Sequence, residues 1–298
     1  MDAAMTKTER KFMAAMHKHG LQPAEAPIAD GKIHRIHDQR DKHWKKDLWY
    51  VLHDDGRPNG WFGHHSRMQY KQKWMPRHKA IMTPEELEKF RQMTEQRQLA
   101  NSIALQAIRA KCRETAVSML DKACDAAPSH PYLVRKNVKT YGIKQLGEIL
   151  LIPLYKDDAL TGLQRIMPDG EKRFLKGSDT TGAYFVIAGD DSAICIAEGY
   201  ATGATIHELT GYTVFLAFNC GNLGAVARKV RAMSPEGEII ICADNDRFTD
   251  GNPGLSKAKL AARAIGAKLA IPEFLGSEGT DFNDLAAIYG SGGGLWQS

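Results

Sequence analysis

The amino-acid sequence predicts an α/β protein whose C-terminal part is a mostly parallel sheet with flanking helices. Ahead of it the sequence predicts a mixed α+β basic subdomain and a small N-terminal β-rich module, with a long helical linker between them. Three observations carry this reading. From residue 184 onward, apolar runs of strand length alternate with helix-like stretches. Residues 83 to 124 hold no glycine and open on Thr83-Pro84-Glu85-Glu86, a capping box with proline at the first helical position. Residues 28 to 74 are rich in aromatic and β-branched residues and are broken by the turn-forming DDGRPNG.

Each element follows in order. Residues 1 to 20 read as a short charged helix or arm, and KIHRIH, DLWYVLHDD and WFGHH as strands with a hairpin at Asp54 to Gly60. Leu87, Phe90, Ile103, Leu105, Ile108 and Ala116 recur at approximate helical spacing, giving one long helix or two in tandem, which Pro128 and Pro131 end. Short strands are then expected at residues 150–155, 162–166 and 173–175, separated by turns at Lys156 to Ala159 and at Pro168-Asp169-Gly170. The last part predicts strands at 193–197, 213–218, 239–243 and 268–271, with helices at 201–209, 223–233 and 255–265. The expected division is an N-terminal module over 1–82, a helical linker over 83–127, a basic subdomain over 128–183 and an α/β domain over 184–298.

Composition narrows the class. The chain has 298 residues and a formal charge of +5, and no apolar run approaches the roughly 20 residues a bilayer crossing needs. The N-terminus lacks the apolar core of a signal peptide, so a cytoplasmic location is expected. Five scattered cysteines contain no C-x2-C pair, which disfavours a zinc ribbon or a disulfide framework and leaves reduced, mostly buried thiols. The charge is graded: 19 Lys and Arg against 13 Asp and Glu in residues 1–100, 13 against 9 in 101–180, and 8 against 13 in 181–298. A basic, aromatic-rich front suits a polyanion and an acidic back suits a metal cation.

In an open parallel sheet, ligands bind beyond the carboxyl ends of the strands. The run AICIAEG ends in Glu198-Gly199, and EIIICADND ends in Asp244-Asn245-Asp246. After the last strand comes Gly279-Thr280-Asp281-Phe282-Asn283-Asp284. Carboxylates at neighbouring strand ends repel one another unless a divalent cation joins them, and Mg²⁺ keeps sites open for water and phosphate oxygens. The pattern points to metal-assisted phosphoryl transfer. Gly199, Gly203 and the loop Asn219-Cys220-Gly221-Asn222 suit close backbone approach at strand ends, and Asn222 is placed either to cap a helix or to touch a ligand. In the front module, Trp44, Trp49, Tyr50, Trp61, Phe62, Tyr70 and Trp74 are interleaved with Lys45, Lys46, Arg57, Arg67, Lys71 and Lys73. That mixture serves either a small core or single-strand binding. His53, His64 and His65 lack a zinc-ligand spacing, and Gly251-Asn-Pro-Gly-Leu-Ser-Lys lacks that of a nucleotide P-loop.

The segments ICIAEGYATGATIHELTG, TVFLAFNCGNL, IIICADND and GTDFNDLAAIYG resemble the TOPRIM domain of primases, topoisomerases and some nucleases, over about residues 190 to 290. They look most like plasmid-conjugation and phage-type primases. HPYLVRKNV and the stretch from Leu150 to Ile187 are similar to the basic subdomain that precedes TOPRIM there, and residues 30 to 63 resemble the leading module of phage primase-like proteins. The resemblance implies a Rossmann-like sheet and a DNA primase, making short primers on single-stranded DNA from nucleoside triphosphates with Mg²⁺ or Mn²⁺. It also implies a separate replicative helicase as partner. Glu198, Asp244 and Asp246 would be the catalytic and metal-binding acids, with Asp281 and then Asp284 as further metal-linked candidates. Arg165, Lys172, Arg173 and Lys176 would form a positive wall for triphosphate or template, together with Gly199 and Asn222. Many primases carry a second acid four residues after the motif glutamate, where this sequence has Thr202. The alternatives are a TOPRIM nuclease that uses the same acids to activate water, and a non-catalytic DNA-binding accessory.

Overall fold

The computed structural model describes residues 5–41, 45–54, 58–65, 68, 71–76, 83–249, 251–274, 276 and 278–290. The chain divides into two compact units, Met1–Leu99 and Ala100–Ser298.

In the first unit, helix α1 (Lys7–Lys18) starts at a reciprocal capping box between Thr6 and Glu9. Strands β1 (His34–Ile36), β2 (Leu48–His53), β3 (Asn59–His64) and β4 (Gln72–Trp74) form an antiparallel sheet in sequence order. The expected hairpin exists, with His53 paired to Asn59; residues 55–57 of its loop, like Trp44, Arg57, Arg67 and Tyr70, lie outside the described residues. Strand alternation sends Leu48, Tyr50 and Leu52 to one face, where with Ile36 and Phe62 they enclose Phe12 and Met16 of α1. Phe12 meets Tyr50, Phe62 and Trp74 edge-on at 5.9, 5.6 and 5.2 Å.

Thr83 and Glu86 close the predicted capping box, and α2 (Pro84–Asp121) runs unbroken for 38 residues. Its apolar spacing is weaker than a buried helix needs. Only Cys112 and Ala116 are buried, and Leu87, Ile103, Leu105 and Ile108 are exposed. Among the described residues, no helix is long and apolar enough to cross a membrane.

The second unit holds two five-stranded sheets. The first is antiparallel: β5 (Cys124–Asp125), β6 (Lys144–Leu146), β7 (Ile149–Lys156), β8 (Ala159–Ile166) and β9 (Lys172–Phe174). The tight turn between β7 and β8 is made by Asp157 and Asp158, both left-handed with φ of 51° and 60°, as a two-residue hairpin of the right twist requires. Pro131 opens a helix instead of only ending one: α3 (Pro131–Lys136) is capped by the His130 side chain, because proline at the first helical position gives up no needed N–H.

The second sheet has the order β10 (Phe185–Ile187), β12 (Tyr212–Leu216), β11 (Asp190–Ala197), β13 (Ile239–Cys242), β14 (Lys268–Ala270). All pairs are parallel apart from the antiparallel edge strand β10, which the sequence pattern did not single out. Helices α4 (Tyr200–Thr210) and α7 (Phe282–Tyr289) pack on one face, and α5 (Cys220–Met233) and α6 (Pro253–Ile265) on the other. The two sheets share one hydrophobic core that runs from Leu150, Ile152, Leu154 and Ile166 to Cys195, Ala197, Leu216 and Phe282. Tyr155 of β7 also exchanges backbone hydrogen bonds with Tyr184 at 2.9 Å. All five cysteines are free; Cys112, Cys195 and Cys242 are buried, Cys220 is half-buried and Cys124 is exposed.

Gly203 explains how α4 lies so close to its sheet. A Cβ there would stand 2.1 Å from Leu216 Cδ2 and 3.3 Å from Val214 Cγ1, both on β12. Leu216 is fully buried and has little room to turn away. Gly203→Ala is therefore expected to destabilise the second unit by about 1–3 kcal/mol despite its better helix propensity. A urea midpoint at or above wild type would show that the helix can move outward without cost.

Candidate active site

Parallel strands β11 and β13 end side by side, and their carboxyl ends deliver Glu198 and Asp244 to the same place. Glu198 directly precedes Gly199, the N-cap of α4, and the backbone N–H of Cys220 at the start of α5 favours its charged form. Oε1 of Glu198 and Oδ1 of Asp244 are buried without a hydrogen-bond partner. Asp246 is held differently: its Oδ2 accepts the backbone N–H of Gly254, in the first turn of α6, at 2.9 Å.

Gly254 is the residue on which the three acids close. A Cβ there would lie 2.7 Å from the Asp244 carbonyl oxygen, 2.8 Å from Asp246 Oδ2 and 3.2 Å from Glu198 Oε1. Sequence reasoning had set this glycine aside with the failed P-loop spacing. A proline-glycine pair at a helix start, eight residues after an Asp-x-Asp, was the available signal. The loop between Asp246 and α6 is fastened by Asn252, which donates from Nδ2 to Asn245 Oδ1 at 2.8 Å and caps α6 by accepting from the Leu255 N–H.

Burial in this cluster raises the carboxyl pKa values. Burial is the main cause at Glu198, pushed up to about 7, with the Asp246 charge adding and the Cys220 N–H and Lys172 opposing. Burial likewise leads at Asp244, pushed up to about 8, with Glu198, Asp281 and Asp246 adding and Lys172 opposing. The Cys220 thiol is also pushed up, first by burial and then by Glu198 and Asp246.

Of the four cations expected to form a wall, Lys172 alone acts on both Glu198 and Asp244. Its Nζ would stand 3.2 Å from a Cβ on Gly199, and it lies 5.9 Å from the Tyr132 ring centroid. Strand alternation separates Arg165 and Arg173 from it. Lys172 pairs with Ile166 and shares its face with Phe174, which packs on the common core. Arg165 and Arg173 are paired with each other on the opposite face, where Arg165 faces Leu151. The expectation that one wall holds all four is corrected by this period of two for Arg165 and Arg173, and Lys176 lies beyond the strand. Arg165 is half-buried, with its Nε buried and unpartnered; Arg173 is exposed and bonded to Glu171 at 2.7 Å; Lys176 is exposed in the loop after β9.

The remaining candidates take distinct positions. Asp281 caps α7 by accepting from the Asp284 N–H at 2.9 Å, and its charge reaches Asp244. Asp284 is committed elsewhere: Oδ2 accepts from the N–H and hydroxyl of Thr280, and Oδ1 faces Lys136 at 3.4 Å. Asn222 is corrected as a ligand contact. It is buried, both amide hydrogens go to the carbonyls of Ala183 and Ala217, and its oxygen accepts the Gly182 N–H. Asn219, not Asn222, caps α5. Thr202 is buried in α4. Tyr132, which sequence reasoning missed, is pushed up to about 12 by burial, with Asp281 raising it further and Lys136 opposing.

Among the described residues no three His, Cys, Asp or Glu side chains close into a metal cage. The cluster still fits a hard divalent cation. It offers orphaned carboxylate oxygens that hold protons tightly for want of a counter-charge, and Mg²⁺ commonly takes one or two protein carboxylates plus water and phosphate.

Residues 193–292 match the family described as Toprim domain. Two Escherichia coli proteins named DNA primase TraC are similar over almost the whole chain. One is 34% identical over 303 residues, 94% of this chain and 28% of its own length. The other is 33% identical over 309 residues, 96% of this chain and 21% of its own length. The chain thus spans less than a third of either relative, while the similarity runs over more than nine-tenths of this chain. A chain from a solved structure of bacteriophage T7 lagging-strand DNA polymerase interacting with primase domains of two gp4 subunits matches at TM-score 0.39 and 17% identity, over 53% of this chain and 84% of that one.

The raised carboxyls make stability depend on pH. Glu198 and Asp244 bind protons more tightly folded than unfolded, so their contribution is full below the ordinary carboxylate range and is lost as pH rises through about 7 to 8. In EDTA the melting temperature of wild type is expected to fall between pH 6 and 8.5. Asp244→Asn is expected to fall less and to melt higher at pH 8.5, by about 2–4 °C for each kcal/mol of repulsion removed. Parallel melting curves for the two proteins across that range would contradict the cluster's electrostatics.

Proposed function

We propose, on the premise that residues 193–292 are a Toprim domain, that this chain carries DNA primase activity: metal-dependent nucleotidyl transfer that makes short primers on single-stranded DNA in phage or plasmid replication. The observation that supports this most is the pair of buried, unpartnered carboxylate oxygens on Glu198 and Asp244 at adjoining strand ends, with Asp246 beside them and one lysine facing them. Similarity to proteins named DNA primase adds the reaction class.

Glu198, Asp244 and Asp246 would hold Mg²⁺ or Mn²⁺, with Asp281 at the margin; Asp284 is tied to Lys136 and Thr280. Bound there, the cation supplies Lewis-acid polarisation of phosphoryl oxygens and eases loss of the primer 3′-hydroxyl proton. The chain's own residues do the rest. The Asp246 carboxylate is oriented by the Gly254 N–H, and the Cys220 N–H favours the charged form of Glu198. Lys172 stands where a triphosphate would approach, and its ammonium would offset phosphate charge that builds during transfer. Gly199 leaves room for that approach. Arg165 and Arg173 on the other face of β8 and β9, and Lys176 in the loop after β9, would hold template backbone. Nucleoside triphosphates and a single-stranded DNA template are the proposed substrates, and a separate replicative helicase the proposed partner.

The proposed modular division remains 1–82, 83–127, 128–183 and 184–298, with the last two working as one through their shared core.

The test is incubation of the chain with single-stranded DNA, labelled nucleotides and Mg²⁺ or Mn²⁺. New short oligonucleotides that vanish in EDTA are expected. Glu198→Gln should lower their yield about 100-fold or more, and Lys172→Ala should mainly raise the KM for nucleotide. A shortened template would indicate a nuclease, and a mobility shift with no product would indicate a binding accessory.

A further inference from the structure

The sheet of the first unit has two faces, and only one is explained by its core. Tyr50, Phe62, Leu48 and Leu52 turn toward α1. The opposite face carries two cross-strand rows. In one, Arg35 of β1 stands opposite Trp49 of β2, which stands opposite Gly63 of β3. In the other, Val51 of β2 stands opposite Trp61 of β3, which stands opposite Lys73 of β4.

The two tryptophans are half-buried diagonal neighbours, a spacing of about 7–8 Å between antiparallel strands. Each row ends in an exposed cation, at opposite edges of the sheet. Gly63 shapes the first row, since a Cβ there would stand 2.8 Å from Cε2 and Cζ2 of the Trp49 indole. The indole occupies the space over Gly63 because that side chain is missing. In the second row the Nζ atoms of Lys71 and Lys73 sit over the Trp61 ring, 4.8 and 5.5 Å from its centroid. A core tryptophan has no need of two ammonium groups on its face.

We infer that this face, Trp49 and Trp61 with Arg35, Lys71 and Lys73, is a stacking platform for single-stranded DNA. Two indoles accept successive bases without regard to sequence, and the flanking cations take the phosphates. When a base arrives on Trp61, the two lysines give up the ring face and turn to the backbone on either side, so cation–π contact is exchanged for phosphate contact. The occupant is a polyanion because every charged group on the two rows is positive. The inference assigns a second contact with the template named under the proposed function, remote in sequence from the acids.

The test is binding of the full chain to a fluorescent oligo-dT in EDTA without nucleotides, so that binding is read apart from any synthesis. Trp61→Ala is expected to weaken it about tenfold or more and Trp61→Phe to keep most of it, because a ring is what the base needs. Lys73→Glu, an exposed substitution that threatens no core, is expected to weaken binding and reduce the slope of log Kd against log salt by about 0.7. Trp61→Ala and Lys73→Glu with wild-type affinity would overturn the proposal, even if primers are still made. So would a Trp61→Phe loss as large as that of Trp61→Ala, since ring size alone would then be packing. If oligonucleotide affinity is unmoved while Trp61→Ala abolishes self-association in sedimentation, the face belongs to a protein contact and the proposal fails.

Discussion

Everything in the second unit is arranged around the cost of gathering carboxylates where water is excluded. Removing a carboxylate from water costs several kcal/mol even after relaxation. A helix N-terminus returns roughly 0.3–1 kcal/mol, up to about 2 in buried geometry. The fold supplies several such returns: the Cys220 N–H of α5 for Glu198, the Gly254 N–H of α6 for Asp246, and the capping geometry of α7 around Asp281. Lys172 adds one positive charge. Together these fall short for Glu198 and Asp244, whose orphaned oxygens have no donor, and the shortfall emerges as carboxyls pushed up to about 7 and 8. An acid that grips a proton for want of a counter-charge also grips a cation of higher charge.

That constraint explains why the antiparallel sheet cannot be separated from the parallel one. Lys172 enters the cluster from β9, and β9 is positioned by packing, through Phe174 against Phe218 with ring centroids 6.0 Å apart and through the core the two sheets share. Were the sheets independent, the cation that acts on both buried acids among the described residues would be held by a flexible tether. Shared core converts a surface lysine into a fixed counter-charge, and the period of two along β9 decides which cation receives that role.

The legible parts of the sequence were those governed by local rules. Apolar runs of strand length, the Thr83 capping box and the terminal Glu198 and Asp244-x-Asp246 all follow from near neighbours in the chain. What escaped depended on distance in sequence. Gly254 acquires its meaning from atoms on Asp244, Asp246 and Glu198, and its local Pro253-Gly254 pattern marks a helix start without naming the acids that crowd it. Asn222 reads as a loop-end amide until Gly182 and Ala183 arrive from another segment and take up its hydrogen bonds. The basic residues of the β8–β9 hairpin read as one patch because a one-dimensional string hides which face each occupies; pairing of Arg165 with Arg173 and of Ile166 with Lys172 splits the two arginines from Lys172. In the front module, the same alternation sorts Tyr50 and Phe62 into the core and Trp49 and Trp61 out of it.

The charge gradient acquires a more specific meaning from this sorting. On the proposed function, a chain that holds a polyanion beside its own carboxylates would face a conflict, since cations close enough to grip the polymer would also neutralise the acids a metal needs. The fold resolves it by distribution. One lysine faces the acid cluster, two arginines occupy the reverse face of the same hairpin, and the cations of the first unit border indole rings on a separate sheet. Within the second unit, sheet alternation keeps Arg165 and Arg173 from collapsing onto Glu198 and Asp244, so positive charge can be dense in sequence and still leave those two carboxyls short of counter-charge. A cluster of basic residues on a loop would lack that control, because its side chains could turn inward to the nearest acid. Rigid strands are therefore the suitable carriers for cations that must serve a polymer next to a site that must stay negative.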